Sequence, residues 1–258
     1  MIGSERKKYI LDRLNQENKV KAADVAKRFR VSMETVRRDL EELENSGCLR
    51  RVYGGAVIGT VYDVEKPYDS RQIIRLEEKQ AIAKRTLELL ENGETVFLDG
   101  GTTLLEVAKQ IRNSKKALTI ITNAVAVAVE VVKNENCTVV LLGGILTKGE
   151  SITTGFLCDD NLSVFHAHKI IIGAAGISRS HGISDYSMEV TFAKRKMVQK
   201  ADTVICVSDS SKFGKSVLNS VVSLNDVDIL VTDWHAEDAQ IQDCVAAGVE
   251  VIRAQPGP

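Results

Sequence analysis

No apolar run in these 258 residues approaches the roughly 20 that a membrane-spanning helix needs, so neither a membrane segment nor a membrane partner is expected. The opening stretch, Met1 to Lys8, leads into an amphipathic helix and not into the apolar core of a signal peptide, which points to the cytoplasm. Cysteine is sparse: Cys48, Cys137, Cys158, Cys206 and Cys244 are odd in number, scattered, and nowhere spaced as C-x-x-C. That argues against a disulfide framework and a zinc site and leaves reduced thiols. Catalytic signatures are missing as well. Gly214-Lys215-Ser216 has the ending of a Walker loop, but the glycine that should open the loop is Asp209. Gly100-Gly101 lacks the G-x-G-x-x-G spacing of a dinucleotide fold, and there is no G-x-S-x-G elbow. His166 and His168 alternate on what reads as a strand with no third ligand nearby, so no metal and no cofactor is expected. Met188, Met197 and the lone Trp234 read as packing residues, and no internal repeat or low-complexity segment is evident.

Net charge is nearly absent too, at −1, yet it is unevenly spread. Residues 1–57 hold 13 Lys+Arg against 9 Asp+Glu, a balance of +4, which leaves 21 against 26, or −5, for the rest. A basic module joined to an acidic domain suits a nucleic-acid partner: phosphates attract the first, and the second limits non-specific sticking. With 44% hydrophobic residues, the chain is long enough for one large globular domain and one small one.

In the basic part, Tyr9, Ile10, Leu11 and Leu14 mark a helix from Ser4 to about Glu17, broken at Asn18-Lys19. Ala22, Ala23, Val25, Ala26 and Phe29 mark a short second helix ending near Arg30. After the Val31-Ser32 turn, Ser32 stands as an N-cap, and Val36, Leu40 and Leu43 make one apolar stripe. Glu34, Arg38 and Glu41 lie opposite that stripe, with Thr35 and Arg37 flanking it. Asn45-Ser46-Gly47 is a helix stop, and residues 48–57 look like two short strands around a tight turn. This is the pattern of a winged helix-turn-helix. Alone, the helix that follows Ser32 reads equally as a solvated surface helix; the helix before it and the wing after it favour a major-groove reader. The residues expected on DNA are Ser32, Met33, Glu34, Thr35, Arg37 and Arg38, with Arg50 and Arg51 of the wing on phosphates or in the minor groove. Of the paired arginines, Arg38 is the better placed for a base edge, because it lies more squarely opposite the stripe.

A linker is expected over 59–75, where Gly59 to Asp69 includes Pro67 and few core residues. From 76 onward, after a helix over Leu76 to Leu90, short β-branched runs begin at Thr95, Leu118, Thr138, Lys169, Thr203 and Asp228. Helical stretches, Thr103 to Arg112, Ala124 to Lys133 and Met188 to Lys200, separate several of them. The Val/Ala run within Ala124 to Lys133 also fits a strand, but its length favours helix. Strand-helix-strand alternation, closed by a helix over Ala236 to Ala247 and a strand over Val249 to Ile252, implies a parallel sheet covered on both faces.

Such sheets bind ligands at the carboxyl ends of their strands. The residues standing there are Asp99-Gly100-Gly101-Thr102-Thr103, Asn123, Gly143-Gly144, Gly173-Ala174 and, after the fifth strand, Lys212. Glycines running into a helix N-terminus suit a phosphate, and Lys212 suits an anion or a sugar oxygen. Each loop by itself could merely turn the chain; their convergence is what points to a site.

These residues carry a resemblance that covers nearly the whole chain. Val31 to Leu40, with Leu43, Gly47, Leu49, Arg51 and Gly54-Gly55-Ala56, resembles the N-terminal signature of the DeoR family of bacterial sugar-metabolism regulators. The C-terminal part is similar to that family's sensor domain at Asp99 to Thr103, Thr122-Asn123, Gly143-Gly144, Gly155, Glu189 and Asp209 to Gly214. The resemblance implies an α/β sensor related to ribose-phosphate isomerases, binding a phosphorylated sugar or sugar derivative, Glu189 among its contacts, and thereby altering operator binding, usually as a repressor. One segment departs. Where the isomerases carry Gly-Ala-Asp-Glu-Ile-Asp, this chain has Gly173-Ala174-Ala175-Gly176-Ile177-Ser178. Aldose-ketose isomerisation needs a carboxylate base at the sugar, so no enzymatic activity is expected, although Asp185 and Glu189 stand nearby in sequence. Family regulators often keep the first of those acids, so Ala175 points to a different effector.

The expectation is therefore an effector-responsive regulator of a carbohydrate operon, bound to double-stranded operator DNA as a homo-oligomer, since two copies on a palindrome gain avidity. The alternatives are a sugar-phosphate isomerase with an accessory DNA module, and a winged domain that binds protein.

Overall fold

The protein is described here from a computed structural model covering residues 2–17, 19–45, 49–57 and 67–257. The chain divides into two compact units, Met1–Leu76 and Glu77–Pro258.

The first unit runs α1 (Ile2–Glu17), β1 (Lys19–Lys21), α2 (Ala22–Phe29), α3 (Met33–Asn45), β2 (Arg50–Val52), β3 (Gly55–Val57) and α4 (Tyr68–Ile73). Ile10, Leu11 and Leu14 of α1, Val25 of α2 and Val36, Leu40 and Leu43 of α3 are buried in one core. The turn between α2 and α3 is sharp because Arg30 takes a left-handed conformation, φ 51°, and its N–H closes on Ala26. The wing has three strands, not two. Lys19–Lys21 pairs antiparallel with β3, which pairs with β2. A three-residue strand beside a helix break leaves no period to read, which is why only its partners were expected. Gly55 permits the pairing: a β-carbon there would stand 2.0 Å from the Val20 carbonyl oxygen.

The proposed helix stop at Ser46-Gly47, Cys48, the break at Asn18 and residues 58–66 of the expected linker lie outside the described residues. The remainder of that linker differs from expectation. Pro67 opens the six-residue α4, and Ser70 within it is buried.

The second unit contains α5 (Leu76–Glu88), β4 (Thr95–Leu98), α6 (Thr102–Arg112), β5 (Thr119–Thr122), α7 (Val125–Val131), β6 (Thr138–Leu141), β7 (Ile145–Leu146), β8 (Thr153–Thr154), α8 (Phe156–Ser163), β9 (Ala167–Gly173), β10 (Gly176–Ser178), β11 (Gly182–Asp185), α9 (Met188–Val198), β12 (Ala201–Val207), β13 (Asn219–Val222), β14 (Ile229–Thr232), α10 (Asp238–Ala246) and β15 (Glu250–Arg253). Seven strands form one parallel sheet in the order β15-β14-β12-β9-β4-β5-β6. Each strand carries an apolar run and divides its side chains by alternation. Phe97, Ile121, Ile170, Ile172 and Cys206 enter one core, while Val96, Leu98, Ile120, Ile171 and Ile205 enter the other. The Val/Ala run is helical, as its length required. The hairpin β7–β8, the helix α8 and the small antiparallel sheet β10-β11-β13 were not anticipated, because these strands contain no apolar or β-branched run longer than two residues and α8 buries only Cys158 and Leu162, too few to mark a stripe. Among the described residues no helix is long and apolar enough to cross a membrane.

Candidate functional site

In the winged unit, Ser32 caps α3 as its position suggested: its hydroxyl accepts the Thr35 N–H at 3.1 Å. Val36, Leu40 and Leu43 turn inward, so Met33, Glu34, Arg37 and Arg38 are left exposed on the outer face, with Thr35 half-buried. Arg37 lies 3.7 Å from Glu34, an exposed pair that water screens. Arg51 is less available. Its guanidinium donates to Glu44 at 2.6 Å and its backbone N–H donates to the same carboxylate at 2.7 Å, which together hold Glu44 below the ordinary carboxylate range. The side chain of Arg50 lies outside the described part of β2.

Asp39, next to the paired arginines, has a structural task. It is buried, and both its oxygens accept from Arg6 of α1, the Nη2 contact at 3.0 Å. That bond raises the Arg6 guanidinium above its ordinary value and fixes the reading helix against α1. At the wing tip, the turn Tyr53-Gly54 is held from behind, where Ala22 N–H donates to the Gly54 carbonyl at 2.9 Å.

In the second unit, β4 and β9 are neighbours, and the sheet grows outward from them in opposite directions. This is the topological switch point, where the loops after adjacent strands part and leave a crevice. Asp99-Gly100-Gly101 follows β4 and Gly173-Ala174 ends β9, so the structure brings these two stretches together. A β-carbon on Gly173 would stand 3.0 Å from Leu104 Cδ2 of α6 and 4.0 Å from Asp99 Oδ2. Gly101 is the N-cap of α6 at φ 121°, a conformation that side chains rarely adopt, and no side chain caps this helix. The first turn of α6, at Thr102 and Thr103, thus begins at the carboxyl end of β4 without a side-chain cap, an arrangement suited to an anion. Gly100 has a different reason. A β-carbon there would collide with Ile152 at 2.4 Å, so the glycine admits the β7–β8 segment over the strand ends.

Asp99 does not face a ligand freely. It is buried, accepts the Gly173 N–H at 3.2 Å and lies 2.9 Å from Lys194 Nζ. Lys194 also donates to Asp185 at 2.7 Å and to the Gly173 carbonyl at 3.2 Å. One ammonium therefore ties the ends of β4, β9 and β11 to α9. Burial pushes Asp99 up, and Lys194 only partly opposes this; Asp185, also penalised by burial, is drawn below its ordinary value by the same cation. Burial alone would lower Lys194, but the two carboxylates more than offset it and raise the ammonium. Neither Lys194 nor its link to Asp99 was expected. The sequence does hold a signal, since Lys194 falls on the apolar stripe of α9 between Val190 and Met197. A lysine at such a position needs a buried counter-charge.

The remaining expected residues are dispersed. Asn123, at the end of β5, is buried and donates its amide N–H to the Thr153 carbonyl at 3.0 Å, while its Oδ1 has no hydrogen-bond partner. Gly143 and Gly144 lie two strands from the switch point, exposed at the base of the β7–β8 hairpin. There a β-carbon on Gly144 would meet the Thr154 carbonyl oxygen at 2.6 Å. Glu189 is exposed on the first turn of α9, accepting from Ser187 at 3.1 Å. Lys212 is half-buried after β12, on the turn Ser210–Lys212, which Asp233 steadies by accepting the Ser210 N–H at 2.6 Å. The two expected structural histidines have partners: His166 lies 2.8 Å from Asp202, and His168 accepts the Thr95 N–H at 3.0 Å. Cys137, Cys158, Cys206 and Cys244 are free thiols.

Comparison with known proteins matches both units. A family model described as the DeoR-like helix-turn-helix domain covers residues 6–60, and one described as the DeoR C terminal sensor domain covers residues 74–234. The chain is 36% identical over 252 residues to the HTH-type transcriptional repressor GlcR of Bacillus subtilis, covering 98% of this chain and 96% of that one. It is 31% identical over 255 residues to the HTH-type transcriptional regulator GolR of Listeria innocua, covering 99% and 100%. It is also 31% identical over 233 residues to the glycerol-3-phosphate regulon repressor of Escherichia coli, covering 90% and 92%. Among solved structures, ribose 5 phosphate isomerase A from Neisseria gonorrhoeae superposes with a TM-score of 0.40 at 15% identity over 52% of each chain.

Proposed function

The chain belongs to the DeoR family of helix-turn-helix transcriptional regulators, and on that premise we propose that it is a cytoplasmic repressor of a carbohydrate-metabolism operon. Its winged unit holds operator DNA through the exposed face of α3, with Arg37 and Arg38 on bases and phosphates. Its second unit binds a phosphorylated sugar or sugar derivative at the switch point, and occupancy alters operator affinity. The observation that carries the ligand reading is the uncapped N-terminus of α6 behind Gly101, opposite Gly173-Ala174 at the carboxyl ends of β4 and β9. The relatives named for repression, one of them for a glycerol-3-phosphate regulon, support the same reading. Two copies on a palindromic operator complete it.

The isomerase alternative finds less support. A proton-abstracting base must reach the sugar, yet Asp99 and Asp185 are both engaged by Lys194, and Ala175 stands at the position where isomerases hold an acid. Mobility shifts on DNA upstream of the chain's own gene test the proposal, with phosphorylated sugars added in turn at fixed salt. Sequence-specific retention that responds to a sugar phosphate is expected. Binding without sequence preference would refute the DNA reading, and coupled-assay turnover of a pentose or hexose phosphate would establish the enzyme.

A further inference from the structure

The two rims of the seven-stranded sheet differ in a way that neither DNA nor ligand binding explains. Free strand edges are normally guarded by charge, proline or a bulge, because they otherwise template pairing with another chain. The β15 rim follows that rule. Glu250 and Arg253 are exposed along it, and Arg253 pairs with Asp238 of α10. The β6 rim breaks it: the strand reads Thr138-Val139-Val140-Leu141, without a charge, and its Leu141 is exposed.

The elements around β6 are apolar on their outer faces as well. In α7, sequence VAVAVEV, one face enters the core through Val127, Ala128 and Val131, while Val129, and Val132 at the helix end, face solvent. Its single charged residue, Glu130, is already held by Arg112 and Lys133. A helix apolar on both faces is ordinarily covered on both. On the β7–β8 hairpin, Ile145 is 73% exposed and Leu146 stands beside it; in the first turn of α8, Phe156 is 79% exposed, followed by exposed Leu157. These surfaces are continuous. The Val125 N–H at the start of α7 donates to the Ser151 carbonyl at 3.0 Å, Ala124 bridges Ile152, and a β-carbon on Gly155 would lie 3.7 Å from Ile145 Cδ1.

We propose that this rim is the surface through which two copies of the chain pair. At roughly 100 Å² for each large exposed side chain, the patch is on the order of 700 Å², above the ~300–600 Å² typical of a monomer's largest patch and close to the ~800 Å² each partner contributes to a stable interface. An apolar patch around an open strand edge is also complementary to itself. Under a two-fold axis β6 can pair antiparallel with β6 of the second copy, whereas a rim of one charge would repel its image. Because the opposite rim is charged, association through this surface closes at two instead of extending into a filament.

Sedimentation velocity of the full chain across the micromolar range tests the assignment. The variants are Ile145→Glu on the hairpin and Val129→Glu on α7, with Val245→Glu on α10, near the charged rim, as control. All three positions are exposed, and a cooperative thermal transition of Trp234 fluorescence, lowered in the rim variants by no more than the lost pairing accounts for, verifies that each variant folds. Two rim variants on different elements guard against one of them failing. The wild type is expected to sediment as a dimer or a multiple of it, and each rim variant at half the wild-type mass. A carboxylate buried in an apolar interface should weaken pairing by at least about a hundredfold. The control should keep the wild-type mass. A wild type that stays monomeric throughout, as it would if this rim served a different protein, overturns the proposal. So does a folded rim variant that retains the full mass.

Discussion

Replacing Lys194 by methionine removes the ammonium but keeps the length of the side chain. In the native protein that ammonium faces two carboxylates, Asp99 at 2.9 Å and Asp185 at 2.7 Å, and the Lys194 and Asp99 side chains are each only 3% exposed. Deleting one partner of a buried ionic group leaves uncompensated charge, which costs about 3–5 kcal/mol at neutral pH. Lys196→Met is the comparison: its 2.8 Å contact with Asp159 is half exposed to water, so its loss should cost under about 1 kcal/mol. Trp234 is the lone tryptophan and belongs to the second unit, so urea unfolding followed by its fluorescence reports on that unit alone.

The pH dependence gives the sharper test. In the wild type Asp185 is held below its ordinary value, so its stabilisation is present at neutral pH and is lost as pH falls through the native value. Without Lys194 the sign reverses. Burial then raises both carboxyls above their unfolded values, the native state binds more protons than the unfolded state, and stability climbs as pH falls, by up to ~1.4 kcal/mol per pH unit for each group. The deficit of Lys194→Met should therefore shrink between pH 7 and pH 5. A neutral-pH loss no larger than that of Lys196→Met, or a deficit that does not change with pH, would refute the reasoning.

Four further outcomes are expected. Arg38→Ala should weaken operator binding in mobility-shift titrations. If Arg38 clamps a phosphate, the slope of log affinity against log salt falls by ~0.9; if it reads a base, discrimination falls by about 1–3 kcal/mol at unchanged slope. Arg51→Ala should cost less than Arg38→Ala, because Glu44 already occupies its guanidinium. Asp39→Asn strips Arg6 of its buried counter-charge and should lower the protection of α1 and α3 amides against hydrogen exchange by on the order of 2 kcal/mol, while the second unit exchanges as before. Burial pushes the Cys206 thiol up to about 12 and Cys244 up to about 11, so alkylation near pH 8, mapped by peptide mass, should spare both in the native chain and reach both in urea. Rapid native labelling of Cys206 would contradict its placement in the sheet.

Much of the architecture was legible because it repeats. Apolar stripes at helical spacing located α1, α2 and α3, and β-branched runs located β4, β5, β6, β9, β12 and β14, since long elements with one buried face must write their period into the chain. β1, β7, β8, β10, β11 and β13 contain no apolar or β-branched run longer than two residues and wrote nothing comparable, so they emerged only with their partners. The glycines carry a reason that the sequence did not show: Gly100 and Gly144, expected to make room for a ligand, each leave space for a neighbouring segment, Ile152 in one case and the Thr154 carbonyl in the other.

By itself the sequence determined that a basic reading module precedes a parallel-sheet domain, and that Ser32 starts a helix presenting Arg37 and Arg38, because caps, stripes and charge are local properties of the chain. Only the tertiary structure decided which strand ends meet. It joined Asp99 to Lys194, 95 positions away, made β4 and β9 neighbours, and left one rim of the sheet charged and the other apolar. Strand order and counter-charge pairing are contacts between distant segments, and they exist only once the hydrophobic faces have closed on one another.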